Sequence, residues 1–253
     1  MSQRKTYRIG QIVPSSNTTM ETEVPAMLQR AILGDGMSFT FHSSRAPMKT
    51  VTKDELTAMN GHMARCAQEL TDARMDVIAS ACLVAIMCQG PGYHRETEQA
   101  LRDVCRKDAP NTEIITSAGA LIEGLNTIGA KKIAIVTPYV KNLTELVAGY
   151  IESEGIEVLD AISLEIPNNL EVGARDPMAL IQIARRLSVA NIDALVLSAC
   201  VQMPSLPALA PVQRTVDVPV LSTASATVFQ ILRGLNLDAP IPQAGDLLSG
   251  QYY

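Results

Sequence analysis

Short apolar runs alternate with longer amphipathic segments along the chain. Apolar runs of roughly four to eight residues favour buried strands, and an apolar face that recurs at helical spacing favours a helix. The predicted strands are residues 7–13, 37–43, 75–80, 112–117, 132–136, 157–164, 194–198 and 218–221. The predicted helices are residues 18–33, 53–73, 93–108, 142–153, 177–190 and 225–235. This alternation indicates βαβ units and parallel sheets.

The two halves of the chain resemble each other. The run I-G-Q-I-V-P at residues 9–14 has a counterpart, I-A-I-V-T-P, at residues 133–138. A cysteine also follows an apolar run directly in each half, as Cys82 and as Cys200. We therefore predict an α/β protein of two similar lobes related by a pseudo-twofold axis, with the strand ends facing a shared crevice. The predicted lobes are residues 1–118 and 119–253, with the C-terminal helix packed on the first lobe.

Composition and charge narrow the classes of partner. The chain has 253 residues, 47% of them hydrophobic, and a formal net charge of −5. No run of Lys or Arg forms a basic face, so we expect no nucleic-acid partner. The N-terminus lacks the apolar stretch of a signal peptide, and the most apolar run, residues 77–88, is shorter than the ~20 residues needed to cross a bilayer. We expect no membrane partner, and the five cysteines favour reduced thiols in a cytoplasmic protein.

The sequence lacks the motifs of several common kinds of enzyme. Neither G-x-G-x-x-G after the first strand nor G-x-x-x-x-G-K-[ST] occurs, so we expect no nucleotide cofactor. His42, His62 and His94 are isolated and have no ligand spacing, so we expect no metal. The serine-hydrolase pattern G-x-S-x-G is also absent.

The remaining candidates are thiols. Cys82 and Cys200 each stand where a buried strand ends, and free N–H groups of a following turn lower a thiol pKa from its usual ~8.5. Inert packing is the alternative for any single cysteine. The equivalent positions of these two cysteines favour chemistry. The others, Cys66, Cys88 and Cys105, are predicted to be packing residues.

Polar groups follow other strands. Residues 15–19, S-S-N-T-T, lie between a strand and a helix, where they form either an N-cap with a Thr18–Glu21 capping box or a carboxylate site at a helix N-terminus. Asn17 is the favoured donor. Tyr139 and Asn169 follow strands of the second half and are predicted either to face the same crevice or to serve as turn residues.

The sequence resembles the maleate cis-trans isomerases of the aspartate/glutamate racemase superfamily from about residue 7 to residue 235. The motifs that carry the resemblance are V-P-S-S-N-T-T-M-E-T-E (13–23), S-A-C-L-V-A (80–85), V-T-P-Y (136–139), P-N-N (167–169) and S-A-C-V-Q-M (198–203). It implies a cofactor-independent conversion of maleate to fumarate in a bacterial cytoplasm, by a homodimer with a mobile lid. It also implies a place in the degradation of nicotinate or other aromatic compounds.

The resemblance also assigns roles. Cys82 matches the nucleophile that adds to the double bond to give a succinyl-cysteine, and Cys200 matches its partner across the pseudo-twofold axis. Asn17, Tyr139 and Asn169 match positions that hold the substrate carboxylates. The remaining expected site residues are Ser15, Val84 and Val201.

Three further functions stay open. An amino-acid racemase also uses two cysteines, but its second cysteine is usually followed by T-E and supported by a late histidine; here V-Q-M follows Cys200, and no histidine follows His94. A decarboxylase of the arylmalonate type keeps one catalytic cysteine. A non-enzymatic sensor that binds a dicarboxylate between the lobes is the other alternative.

Overall fold

The computed structural model describes residues 5–34 and 36–253, and in them the chain forms two four-stranded sheets. The strands are β1 (Lys5–Pro14), β2 (Met37–Ala46), β3 (Val77–Ser80), β4 (Glu113–Thr116), β5 (Lys132–Thr137), β6 (Glu157–Ser163), β7 (Ala194–Ser198) and β8 (Val220–Ser222). The strand orders are β2-β1-β3-β4 and β6-β5-β7-β8, and every pairing is parallel. The identical order confirms the predicted α/β architecture of two similar lobes.

Helices cover both faces of the sheets. They are α1 (Met20–Leu28), α2 (Lys53–Asn60), α3 (Met63–Asp72), α4 (Leu83–Met87), α5 (Tyr93–Cys105), α6 (Ser117–Ile128), α7 (Lys141–Ser153), α8 (Asn169–Gly173), α9 (Ala179–Ala184), α10 (Leu206–Gln213) and α11 (Thr223–Gly234). The last helix packs on α6 and also on α1, β3 and β4 of the first lobe. No helix in the described part of the chain is both long and apolar enough to cross a bilayer.

The predicted helices differ from the observed ones where local signals are weak. The predicted helix 53–73 is two helices, because the chain turns at Gly61 and His62. Helix α6 follows β4 and was missed, because buried residues surround its first two turns and leave no amphipathic stripe. The short helices α4, α8 and α10 were missed too. Two of these, α4 and α8, place residues at the crevice.

Contacts between α5 and α7 join the two lobes. The buried imidazole of His94 on α5 makes a hydrogen bond through Nδ1 to the hydroxyl of Tyr150 on α7. Arg95 and Glu154 form an ion pair beside it. Burial, with the charge of Arg95 as a smaller cause, lowers the pKa of His94. His94 thus joins the two lobes, and the N-cap of α5 is Gly92 in a left-handed conformation.

Candidate active site

The two cysteines predicted from the strand ends face each other across the lobes. Cys82 directly precedes α4 at the end of β3, and Cys200 follows β7. Their exposed fractions are 3% and 4%, so both thiols are buried. They are close enough that a negative charge on Cys200 raises the pKa of Cys82. The pseudo-twofold arrangement therefore brings the equivalent thiols into one site.

The surroundings of the two sulfur atoms differ. The N–H of Ala85 is the backbone group that stabilises a thiolate at Cys82. The sulfur of Cys200 is stabilised by the hydroxyl of Tyr139 and by the N–H groups of Gln202 and Met203, with 3.3 Å between the Gln202 nitrogen and Sγ. The donor set therefore favours the thiolate at Cys200 over the thiolate at Cys82.

Burial opposes ionisation of both thiols. It raises the pKa of Cys82 to about 12, with the charges of Cys200 and Cys88 as further, smaller causes. It also raises the pKa of Cys200, against the donors described above. The expectation that a following turn lowers these pKa values is therefore wrong for the closed site, because one N–H group at Cys82 does not offset the loss of water.

Asn17 lies in the loop after β1 and is fully buried. Its Oδ1 accepts from the N–H of Met20 at 3.1 Å, and its Nδ2 donates to the carbonyl of Val201 at 3.2 Å. The N-terminus of α1 is thus capped by Asn17, and the predicted Thr18–Glu21 capping box does not form. One hydrogen of Nδ2 remains for a ligand.

Asn169 and Tyr139 come from the second lobe. Nδ2 of Asn169 donates to Oγ of Ser16 at 2.8 Å, which joins α8 to the loop after β1. Tyr139 follows β5 and is buried, and its pKa is raised well above the usual value by burial and by the nearby Cys200. The two side chains predicted from separate strand ends therefore reach the same crevice.

The other expected site residues have different surroundings. Val84 lies in the first turn of α4, Val201 directly follows Cys200, and both are buried. Oγ of Ser15 donates to the carbonyl of Met48 at 3.2 Å and accepts its N–H at 3.0 Å. The hydroxyl of Ser15 therefore fastens the loop after β2 to the loop after β1.

Two loops close the crevice from outside. The loop after β2 and the segment before α8 meet in an antiparallel bridge between Thr50 and Asn168. A cavity of about 670 Å³ lies at this seam. It is lined by Ser15, Ser16, Lys49, Thr50, Val51, Thr52, Pro167, Asn168 and Leu170. The lining combines residues of the loops after β1 and β2 with residues at the start of α8.

Sequence reasoning missed several residues that hold the site together. Arg45 at the end of β2 donates to the carbonyls of Ser15 and Asn17 at 3.0 and 2.7 Å and pairs with Glu21. Glu23 is a buried carboxylate on α1 that accepts the N–H groups of Ser205 and Leu206, at the start of α10. Glu23 stands in the 13–23 motif, which was the available signal, whereas nothing near Arg45 in sequence indicated its partners.

Cys88 also lies near the site. It ends α4, is buried, and is close enough that its charge raises the pKa of both Cys82 and Tyr139. Its Sγ contacts the carbonyl of Ala85 and the amide of Gln89. All five cysteines are free thiols, and Cys66 and Cys105 are buried in α3 and α5.

Two α/β lobes with paired thiols at a shared crevice define a cysteine-dependent α/β enzyme. The sequence comparisons agree with this class. The family model described as arylmalonate decarboxylase matches residues 9–248. A maleate isomerase from Geobacillus stearothermophilus is 59% identical over 98% of this chain and 99% of its own length. The chain belongs to the maleate isomerases within this larger family.

Solved structures resemble the fold throughout. A cysteine-to-alanine variant of the maleate isomerase Iso from Pseudomonas putida S16, solved with maleate, is 54% identical with a TM-score of 0.95, and the match covers 98% of this chain and 99% of that one. A cysteine-to-serine variant of the Nocardia farcinica maleate cis-trans isomerase is 44% identical with a TM-score of 0.92, over 97% and 99% of the chains. The latter contains a covalently bound succinylcysteine intermediate.

Proposed function

We propose that this protein converts maleate to fumarate, with Cys82 as the nucleophile and Cys200 as the base that activates it. The observation that carries the proposal is the pair of buried thiols with unequal donor sets at the ends of β3 and β7. The relatives support the same reaction. In the N. farcinica variant, which lacks one cysteine, a succinylcysteine is still present, so in that protein a second cysteine holds the succinyl group.

The first step is a proton transfer between the thiols. Cys200, stabilised by Tyr139 and two backbone N–H groups, is the site that ionises first. Its thiolate takes the proton of the Cys82 thiol, which has a single backbone donor. This transfer generates the Cys82 thiolate next to the substrate without requiring the low pKa that burial prevents.

The second step is addition to the alkene. The Cys82 sulfur forms a bond to one alkene carbon, and the electrons of the double bond move to the carboxylate on the other carbon to give an enediolate. The free N–H of Asn17 and the Nδ2 of Asn169 are the donors for this charge, since each has one hydrogen not used within the protein. Ser15 supports this by holding the loop, and Val84 and Val201 form apolar walls.

The third step is rotation and elimination. The former double bond is now a single bond, so the two carboxylates can turn apart. The enediolate electrons then re-form the double bond and expel the Cys82 sulfur, which recovers its proton from Cys200. The product is fumarate, and both thiols return to their starting states. No other reactant is consumed.

A proton NMR time course with maleate tests this proposal, because the vinyl signals of maleate and fumarate differ. Appearance of the fumarate signal at the expense of maleate is expected. An unchanged maleate signal would overturn the proposal. Parallel incubations with aspartate, glutamate and an arylmalonate test the racemase and decarboxylase alternatives.

We infer from the resemblance a cytoplasmic homodimer that acts in the degradation of nicotinate or a related aromatic compound, and the five free thiols support a reducing compartment. Residues 1–118 and 119–253 are the proposed lobes. Light scattering coupled to size exclusion tests the dimer, and a monomer mass would contradict it.

A further inference from the structure

Gln202 is a buried residue whose side chain bonds to loops of both lobes. Its Nε2 donates to the carbonyl of Ser16 at 3.0 Å and to the carbonyl of Asn169 at 2.9 Å. Its Oε1 accepts from the N–H of Thr18 at 3.2 Å and lies 3.5 Å from the nitrogen of Thr19. A single amide thus uses both of its ends to join the loop after β1 to the start of α8.

The backbone of Gln202 contacts the thiol of the site. Its N–H donates to Sγ of Cys200 at 3.3 Å, and its carbonyl accepts from Oγ1 of Thr19 at 2.7 Å. The same residue therefore holds the sulfur through its backbone and the two site loops through its side chain. Any movement that separates the loops must act on the segment that positions the sulfur.

Gly173 supplies the space for this side chain. A Cβ at residue 173 would overlap Nε2 of Gln202. The backbone of Gly173 does not have a positive φ, so an alanine there is not excluded by conformation. The glycine is explained by the close approach of the amide.

We propose that Gln202 is a positioning residue that couples closure of the two site loops to the placement of the Cys200 thiol. The inference rests on the proposed function, since it assigns Cys200 as the base. In the closed site, the amide bonds keep the Cys200–Gln202 segment in the geometry in which the Gln202 N–H meets the sulfur. When the loops separate, those bonds break and the sulfur loses its fixed position.

This arrangement requires an amide at residue 202, and a side chain of the same size with a different head group does not satisfy it. One end of the side chain faces two carbonyl oxygens and the other faces two N–H groups. In Gln202→Glu a carboxylate oxygen would face the carbonyls of Ser16 and Asn169 and repel them. Protonation of that carboxyl restores one donor, so lowering the pH should partly restore the contact.

The test compares Gln202→Glu and Gly173→Ala with the wild type. Gly149→Ala is the matched control, because it also adds a methyl group to a helical glycine but has open space around it. Each protein is treated with iodoacetamide, and modification of Cys200 and of Cys66 is followed by peptide mass spectrometry. The values of kcat and KM for maleate are measured separately.

We expect Cys200 to be modified about tenfold faster in Gln202→Glu and Gly173→Ala, because the separated loops admit the reagent to a sulfur that is otherwise buried; this factor corresponds to the loss of one or two of the side-chain hydrogen bonds that join the loops. Cys66, in the core of α3, and the Gly149→Ala control should keep wild-type rates. The value of kcat should fall by about tenfold with a smaller change in KM, and the ratio of Gln202→Glu activity to wild-type activity should rise as the pH falls.

Wild-type protection of Cys200 in both variants would overturn the proposal. An equal increase at Cys66 would also overturn it, because that result indicates general loosening rather than loss of positioning. A wild-type protein that does not isomerise maleate would instead refute the proposed function. The modification rates are measured without substrate, so the two failures are distinguishable.

Discussion

Nδ2 of Asn17 donates to the carbonyl of Val201 across 3.2 Å, and this bond joins the loop after the first strand to the residue that follows Cys200. The two residues belong to different lobes and are both buried. A residue that we propose to bind substrate therefore also holds the segment next to the proposed base, Cys200. Substitutions among these residues should therefore alter both the reaction rate and the position of the segment that contains Cys200.

The nucleophile prediction concerns Cys82. Cys82→Ala should abolish measurable isomerisation, because no sulfur remains to add to the alkene. Cys66→Ala removes a buried sulfur from α3 and should keep most activity, although it lowers stability by about 1 kcal/mol or more. Mass spectrometry of the wild type incubated with maleate and quenched in acid should find a succinyl adduct on Cys82, because the acid protonates the carbon of the trapped enediolate. Wild-type turnover by Cys82→Ala would refute the assignment.

Asn17→Ala should weaken both binding and catalysis. The variant loses the free donor for the substrate carboxylate and the cap on α1, a cost of about 1–3 kcal/mol in kcat/KM. Asn142→Ala is the control, since the Oδ1 of this exposed asparagine likewise accepts a backbone N–H. Steady-state kinetics of the two variants make the comparison. Equal kcat/KM values would place the carboxylate site elsewhere.

Tyr139→Phe should shift the pH dependence of the reaction. The hydroxyl of Tyr139 lowers the pKa of Cys200, so its removal raises that pKa. The base must be ionised, and the rising limb of kcat/KM should therefore move to higher pH, because a hydrogen bond to the charged sulfur is lost. The pH profiles of the two proteins test this. A shift to lower pH would contradict the role of the tyrosine.

Glu23 should make stability depend on pH. Burial raises the pKa of its carboxyl above 4.5 in the folded protein, so the folded state holds this proton more tightly than the unfolded chain. Stability from this group is present below the unfolded pKa and is lost as pH rises through the folded pKa. Denaturant unfolding across this range should show Glu23→Gln gaining on the wild type as pH rises.

Glu23→Ala provides the complementary measurement. It leaves the N–H groups of Ser205 and Leu206 without their carboxylate acceptor, and loss of a helix cap costs about 1–2 kcal/mol. Glu23→Gln keeps an oxygen acceptor and should be less destabilised. If the wild type instead gained stability relative to Glu23→Gln with rising pH, the assigned direction of the Glu23 pKa would be wrong.

The path of the proton is tested in deuterated water. Addition and elimination through an enediolate keep both carbon-bound hydrogens, so fumarate formed from maleate should contain little vinylic deuterium. A racemase-type reaction exchanges the hydrogen at its reacting carbon. Extensive vinylic deuterium would show that Cys200 delivers its proton to carbon rather than back to Cys82.

Much of the fold and of the candidate site was predictable, because strands and strand-end residues are specified by patterns of neighbouring residues. The apolar runs predicted eight parallel strands, and the repeated strand-cysteine pattern at Cys82 and Cys200 predicted two similar lobes. Strand ends at one sheet edge converge by geometry, so polar residues after strands could be assigned to one crevice. The resemblance of five short motifs supplied the family, which the comparisons confirm.

Tertiary structure decided the properties that depend on burial and on partners distant in sequence. The pKa of Cys82 is raised to about 12 because its surroundings exclude water, although its position before a helix predicted the opposite. Gln202 gained its role from Ser16, Asn169 and the space at Gly173, none of which is near it in sequence. A sequence fixes which groups are available, whereas desolvation and hydrogen bonding between lobes depend on how the whole chain packs.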